Sequence, residues 1–448
     1  MEKNKIYFFS IAVFLVAVTV IIFRYEAKEK NKEAKVYYLL DRNGVGVESG
    51  EWQEVRELFA SLLKKLDHNP DDIKSRIALA GLYIREARVS GNHLYYDQAA
   101  MKCVNHVLKL NENNFEALSL KAMIFLSEHH FAEALATAQK AVVINPHNAF
   151  VYGSLVDGYV EMGDYKAAIE NLEKMMSIRP DLRSYSRVSY LREIHGDFTG
   201  AIEAMKLAVD AGAPGDESSA WARVQLGQLY EKTGDMKTAK MHYHIALNDR
   251  PGYAYAISGL ARTAVVEKKY DEAIMLYQKA DSFIKDYSLK DQLSEVYLLK
   301  GETKKAAAIS RSIVEDMINM SNKEKEQDSI GHYSDRELAY AYLKVNNPDK
   351  ALEFALAEYN RRPENIDVNE TVAWVYYCRG EYGKAKKHLK VALKTNSKNP
   401  ILLCRAGLIY SKSGDALTGR ALLEEVLATN ANIPGDLKAA GEKTLQNL

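Results

Sequence analysis

Hydrophobic and polar positions along this chain recur in blocks about 34 residues long. The block is clearest from Ala149 to Leu182, AFVYGSLVDGYVEMGDYKAAIENLEKMMSIRPDL. Tyr152, Leu155, Val156 and Tyr159 recur at spacings of three and four, so they share one face of a helix. Gly163-Asp164 interrupts that helix, because glycine readily takes positive φ and caps a helix C-terminus. Ala168, Leu172 and Met175 form the apolar face of a second helix, and the small Ala168 lets the two helices approach closely. Pro180 ends the second helix, since proline has no N–H and crowds the preceding turn. One such hairpin cannot bury both apolar faces alone, so the pattern predicts neighbours stacked on it.

Related blocks begin near Ile73, at Phe115, near Leu182, at Ala220 and Ala254, near Tyr287 and His332, and at Ile366 and Pro400. The Ala220 block carries Leu226, Gly227, Tyr230, Gly234, Ala239, Tyr243, Ala246 and Pro251. In the block near Ile73 the turn is predicted to be expanded across Glu86 to Tyr95. Met320 to Ser329 reads as a polar loop or helix extension. In the block near Leu182, Arg192 stands where the others favour tyrosine, and it must reach outward or find an acid.

Period, glycine turn and terminal proline together resemble the tetratricopeptide repeat (TPR). The resemblance runs from roughly Ile73 to the C-terminus. It implies an all-α, right-handed superhelical solenoid of about ten helix-turn-helix repeats over 73–429. A helix over 51–72 leads into it, and a capping helix over 430–448 covers the last apolar face. In this family the first helix of each repeat lines a concave groove. The matching positions here are Arg183 and Tyr190 in the fourth repeat, Trp221 and Gln228 in the fifth, and Tyr255 and Arg262 in the sixth. The eighth gives Tyr333, Arg336 and Tyr340, and the ninth Trp374. Tyrosine, tryptophan and arginine dominate binding hot spots, so these ten residues are the expected partner-binding groove. Opposing this, many of the 28 tyrosines are expected to stack between repeats. The lysine and asparagine clamp of chaperone-cofactor TPR domains is missing at these positions.

The pattern changes at the N-terminus. After a short tail over 1–5, Ile6 to Phe23 carries no charge over 18 residues. As a helix that run is roughly 27 Å long, near the thickness of a bilayer core. It exceeds a signal-peptide apolar core and lacks a small-x-small cleavage site. A single-pass transmembrane helix over 6–23 is therefore expected. A charged stalk and glycine-containing linker over 24–50 would follow it. Lysine and arginine counts favour a cytoplasmic solenoid, whereas the very short basic tail favours export. The reading leans to the extracytoplasmic side.

Charge and cysteine content narrow the function. Lys+Arg and Asp+Glu are both 60, which argues against nucleic acid as the main partner. Cys103, Cys378 and Cys404 form no CxxC, and an odd number cannot pair fully within one chain. His129-His130 share a turn, and His242 and His244 are two apart; neither spacing suits a metal, and the latter pair reads as surface histidines. The sequence holds no nucleophile elbow, phosphate loop or HExxH. No cofactor, metal or catalytic residue is assigned. The expected function is a membrane-tethered scaffold that binds a protein or peptide in its groove within a bacterial envelope assembly. A self-associating spacer is the alternative, and an unrecognised enzyme ranks last.

Overall fold

The computed structural model describes residues 13–24, 36–43, 50–327, 331–429 and 431–448. It divides into two compact units, Met1–Leu40 and Asp41–Leu448. In the first, residues 13–24 are helical, and Thr19 Oγ1 donates back to the Leu15 carbonyl at 2.8 Å. Among the described residues no helix is long and apolar enough to cross a membrane. This corrects the expected membrane localisation, and with it the lean to the extracytoplasmic side. Residues 6–12 of the expected span, and 25–35 and 44–49 of the expected stalk and linker, lie outside the described residues.

The second unit begins its helices at Gly50–His68. Ten hairpins follow: Ile73–Ser90 with His93–Leu110, Phe115–Ser127 with Phe131–Ile144, Ala149–Met162 with Tyr165–Ile178, Leu182–Ile194 with Phe198–Asp210, and Glu217–Lys232 with Met236–Asp249. Then come Ala254–Val266 with Tyr270–Phe283, Tyr287–Leu299 with Thr303–Gln327, Asp335–Lys344 with Pro348–Arg361, Ile366–Cys378 with Tyr382–Ala392, and Pro400–Lys412 with Ala416–Leu427. A last helix, Gly435–Gln446, buries Leu437 and Gly441 beside Cys404 and Leu423. These hairpins, of the kind the tetratricopeptide resemblance implies, are numbered one to ten below.

Local chemistry fixes each hairpin. Asp or Asn caps many helices through a side-chain oxygen, as Asp164 does for Ala167 N–H and Asp197 for Gly200 N–H, which satisfies donors the helix leaves open. A small residue on the second helix sits at the crossing; Ala168, Ala201, Ala239 and Ala273 are fully buried. Repeat one departs from expectation. Its turn is not expanded, because the extra residues lengthen both helices, which end at Ser90 and resume at His93. Likewise Met320 to Gln327 simply continue the second helix of repeat seven.

The superhelix meets itself. The turn of repeat one accepts a backbone bond at Ser90 O from Lys285 N–H, 3.3 Å away at the junction of repeats six and seven. Repeat two meets the segment before repeat eight, where Tyr333 N–H reaches Glu128 O at 3.1 Å. Repeat three meets the eight–nine junction: Asn365 Nδ2 donates to Glu161 O at 3.0 Å, Ile366 N–H to Tyr165 Oη at 3.0 Å, and Arg362 pairs with Glu161. In repeat four, Gly196 touches Asn396. In repeat five, Glu231 O accepts from Asn432 N–H at 3.3 Å. The leading helix continues the series, with Glu51 bonded to Arg250 at 2.7 Å. The offset is constant, so each hairpin turn of the first superhelical turn lies on the inter-repeat loop of the second. Ile366 is 6% exposed and belongs to the core of repeats two and three.

Candidate functional site

First helices of consecutive repeats approach one another, which places them on the inside of the curve. Their inner faces carry a ladder of ion pairs, each running from one repeat back to the one before. Arg187 holds Asp157 through two bonds, at 2.5 and 2.8 Å. Lys232 holds Glu193 at 2.5 Å, and Arg262 holds Glu231 at 2.9 and 3.1 Å. Lys344 holds Asp291 and Glu295 at 2.6 and 2.8 Å. Arg405 holds Glu370 at 2.8 Å. Charge-assisted bonds in so narrow a space are strong, and removing one partner strands the other.

The ladder sorts the ten expected groove residues. Arg262 is saturated: it also donates to Ser258 Oγ and to Tyr243 Oη, each at 3.2 Å, and Tyr243 Oη donates to Glu231 at 2.6 Å. Burial opposes its charge, but Glu231 and Tyr243 more than offset that and raise its pKa. Trp221 packs between the cores of repeats four and five, and Gln228 beside it is half-buried. Tyr255 meets Tyr253 edge-on at 5.6 Å, and burial followed by Asp286 raises its phenol pKa. Arg183 lies 5.1 Å over the Phe150 ring and is exposed. Tyr333 is not in the wall at all; it stacks on His130 at 4.0 Å and under Arg361 at 4.2 Å, where the two superhelical turns meet.

The remaining four stand near each other. Arg405 lies between the Tyr340 and Trp374 rings, 5.1 and 4.9 Å from their centroids. Its Nη1 donates to Tyr340 Oη at 2.9 Å, while its buried Nε finds no acceptor among the described residues. Thr371 Oγ1 links this group to Arg336, accepting from Nε at 3.2 Å. Arg336 breaks the rule of the ladder. It faces forward to Asp367, which stands at 4.0 Å, beyond hydrogen-bond distance. Burial opposes its charge, and Asp367 and Tyr340 outweigh that, so it stays cationic.

Arg336 lines a cavity of about 250 Å³ between the two superhelical turns. Tyr190, Glu193, Ile194 and Lys232 come from the first turn; Arg336, Ile366, Asp367, Glu370 and Leu402 come from the second. Tyr190 keeps 39% of its surface, yet burial among protein atoms, with Asp367 and Glu161 nearby, lifts its phenol pKa well above the ordinary value. The volume suits one side chain or a chain end; small-molecule sites are usually larger. Asp367, Glu370, Thr371 and Arg405 were missed in the sequence. A signal existed for one of them: Thr371 precedes Trp374 by three residues, one helical turn earlier on the same face. His242 is also corrected, being 9% exposed and stacked on Tyr230 at 5.5 Å rather than at the surface. Among the described residues no group of three metal-binding side chains assembles.

Comparison with known proteins gives the following. The family ChAPs (Chs5p-Arf1p-binding proteins) matches residues 87–180. No curated protein matches the chain. Among solved structures, human IFIT1 is similar at 17% identity over 79% of this chain and 80% of its own, with a TM-score of 0.44. YrrB, described as a TPR protein with an unusual peptide-binding site, is similar at 20% identity over 42% of this chain and 94% of its own, with a TM-score of 0.28. A tetratricopeptide repeat protein from Parabacteroides merdae is similar at 15% identity over 59% of this chain and 97% of its own, with a TM-score of 0.34. Identities this low transfer no residue role.

Proposed function

We propose that this chain is a helical-repeat scaffold that holds a segment of a protein partner against its inner wall, anchored in the cavity between Tyr190 and Arg336. The observation that carries this reading is the guanidinium of Arg336. The cations of the ladder are each held by a carboxylate at hydrogen-bond distance, while Arg336 lines the cavity together with Tyr190 and has its paired carboxylate, Asp367, only at 4.0 Å. A backbone carbonyl or a chain-terminal carboxylate would accept from the Arg336 guanidinium. An apolar side chain would rest on Ile194, Ile366 and Leu402, all nearly buried. A tyrosine and an arginine facing one small cavity match the composition of binding hot spots.

Arg262, bonded through all three of its nitrogens, and Trp221, packed between two cores, are supports in this reading and make poor probes. The test uses a photo-crosslinking amino acid at Tyr190 in the full chain, with the same group at exposed Glu133 as a control. A partner captured at 190 and not at 133 supports the cavity. Replacing Arg336 with Ala is expected to reduce that capture about thirtyfold, the effect of a hot spot near 2 kcal/mol, with helical circular dichroism unchanged. Capture that survives Arg336→Ala would remove the cavity from the account.

A further inference from the structure

The contact between repeat two and the segment Gly331–Tyr333 is chemically unlike the others. Three histidines meet there. His129 Nδ1 donates to the Tyr333 carbonyl at 2.9 Å, and His130 Nε2 donates to the Gly331 carbonyl at 2.6 Å. The His129 and His332 rings lie 4.2 Å apart. His332 Nδ1 stands 3.6 Å from the Glu128 carboxylate. A second observation is independent of the ring contacts. The hairpin turns of repeats one, three, four and five place glycine at positive φ, at Gly91, Gly163, Gly196 and Gly234. Repeat two places His129 there, at φ 60°, a conformation that disfavours a side chain and persists where something else fixes it.

We propose that this histidine cluster is a pH-sensitive clasp, which holds one superhelical turn against the next at neutral pH and loosens on acidification. Since a carbonyl can only accept, the neutral ring of His129 carries its proton on Nδ1. A further proton must go to Nε2, placing a charge beside His332 and Arg362. The surroundings resist it. Burial first, then His332, hold the His129 pKa down to about 4. Glu337 and the Tyr333 carbonyl pull the other way, and Arg362 adds to the resistance. The other charged groups facing the cluster are paired. His130 has Glu133 at 3.5 Å, Arg361 bonds Asp335 and Glu358, and Arg362 bonds Glu161 and Glu358.

The sign follows from linkage. A histidine with its pKa depressed on closure binds its proton in the open state, so closure is favoured above pH 6.5 and weakens as pH falls toward 4. Glu128 works against this. Burial and Asp97 raise its pKa, so it takes up a proton on closing and shallows the response. The inference concerns the contact between turns and stands whether or not the cavity holds a partner.

Hydrogen exchange of the Tyr333 amide, which donates across this contact, reads the clasp directly in the full chain. After correction for intrinsic exchange, wild-type protection is expected to fall with pH below 6.5, approaching about tenfold per unit. His129→Asn should abolish that slope. Asparagine suits the position, since Asn346 and Asn396 already sit at φ 57° in this chain, and its amide can still donate to Tyr333. Glu128→Gln should steepen the slope by removing the opposing proton. Protection in wild type that ignores pH, a slope that survives His129→Asn, or a shallower slope in Glu128→Gln would each overturn the proposal.

Discussion

Gly163 and Gly380 look alike in the sequence, since each ends the first helix of a repeat at positive φ. Their surroundings differ. A Cβ on Gly163 would lie 2.4 Å from the Glu364 carbonyl, whereas one on Gly380 would meet nothing within 4 Å. Gly380→Ala should therefore cost only the left-handed penalty of about 1–2 kcal/mol. Gly163→Ala should cost at least about 2 kcal/mol more, because backbone of the next superhelical turn must move. Urea unfolding of both variants checks this, and equal losses would deny the contact. His242 offers a residue-scale pH test. Burial, then Arg223 and Lys206, push its pKa down to about 4. Its stabilising contribution is thus full above pH 6.5 and lost progressively down to about pH 4, worth roughly 3 kcal/mol at most. His242→Phe should flatten that part of the stability profile measured by denaturant titration.

At the scale of the hairpin the sequence was readable because its code is local. Periodicity, an αL residue, a capping Asp or Asn and a small residue at the crossing lie within one 34-residue block, as in Tyr152, Gly163, Asp164 and Ala168. Ala168→Phe should overpack the crossing and cost about 1–3 kcal/mol. What joins one hairpin to the next was half readable. Arg262 stood out as an inner-face residue, but its partner Glu231 lies in the preceding repeat at a spacing that no local motif marks. A double-mutant cycle on Arg262 and Glu231 should give a coupling above about 1.5 kcal/mol, the range for buried charge-assisted pairs. Coupling near zero would return Arg262 to the list of residues free to bind a partner. Arg336 is the converse case: the sequence placed it on the inner face, and only the fold distinguishes it from Arg262.

The whole molecule is decided by a quantity no single repeat contains. Small rotations between repeats add until the chain returns to itself, and the return brings Gly91, Gly163 and Gly196 against a second layer while Gly301, Gly380 and Gly414 stay open. None of that is written at those glycines. One visible departure, histidine for glycine at His129, was read only as a poor metal pair; Lys268 and Asn346 also hold positive φ in the turns of repeats six and eight. The tight return also brings residues of different turns into one cavity, as with Tyr190 and Asp367. The most direct test places cysteines at Ser90 and Lys285, whose backbones bond across the contact. The Lys285 amide lies 3.3 Å from the Ser90 carbonyl, so the two residues are close enough for a crosslinking test. If the superhelix closes on itself, Ser90→Cys with Lys285→Cys should form an intramolecular disulfide under mild oxidation, and neither single variant should. Thiols that stay free, or that pair only between molecules, would contradict the closed superhelix.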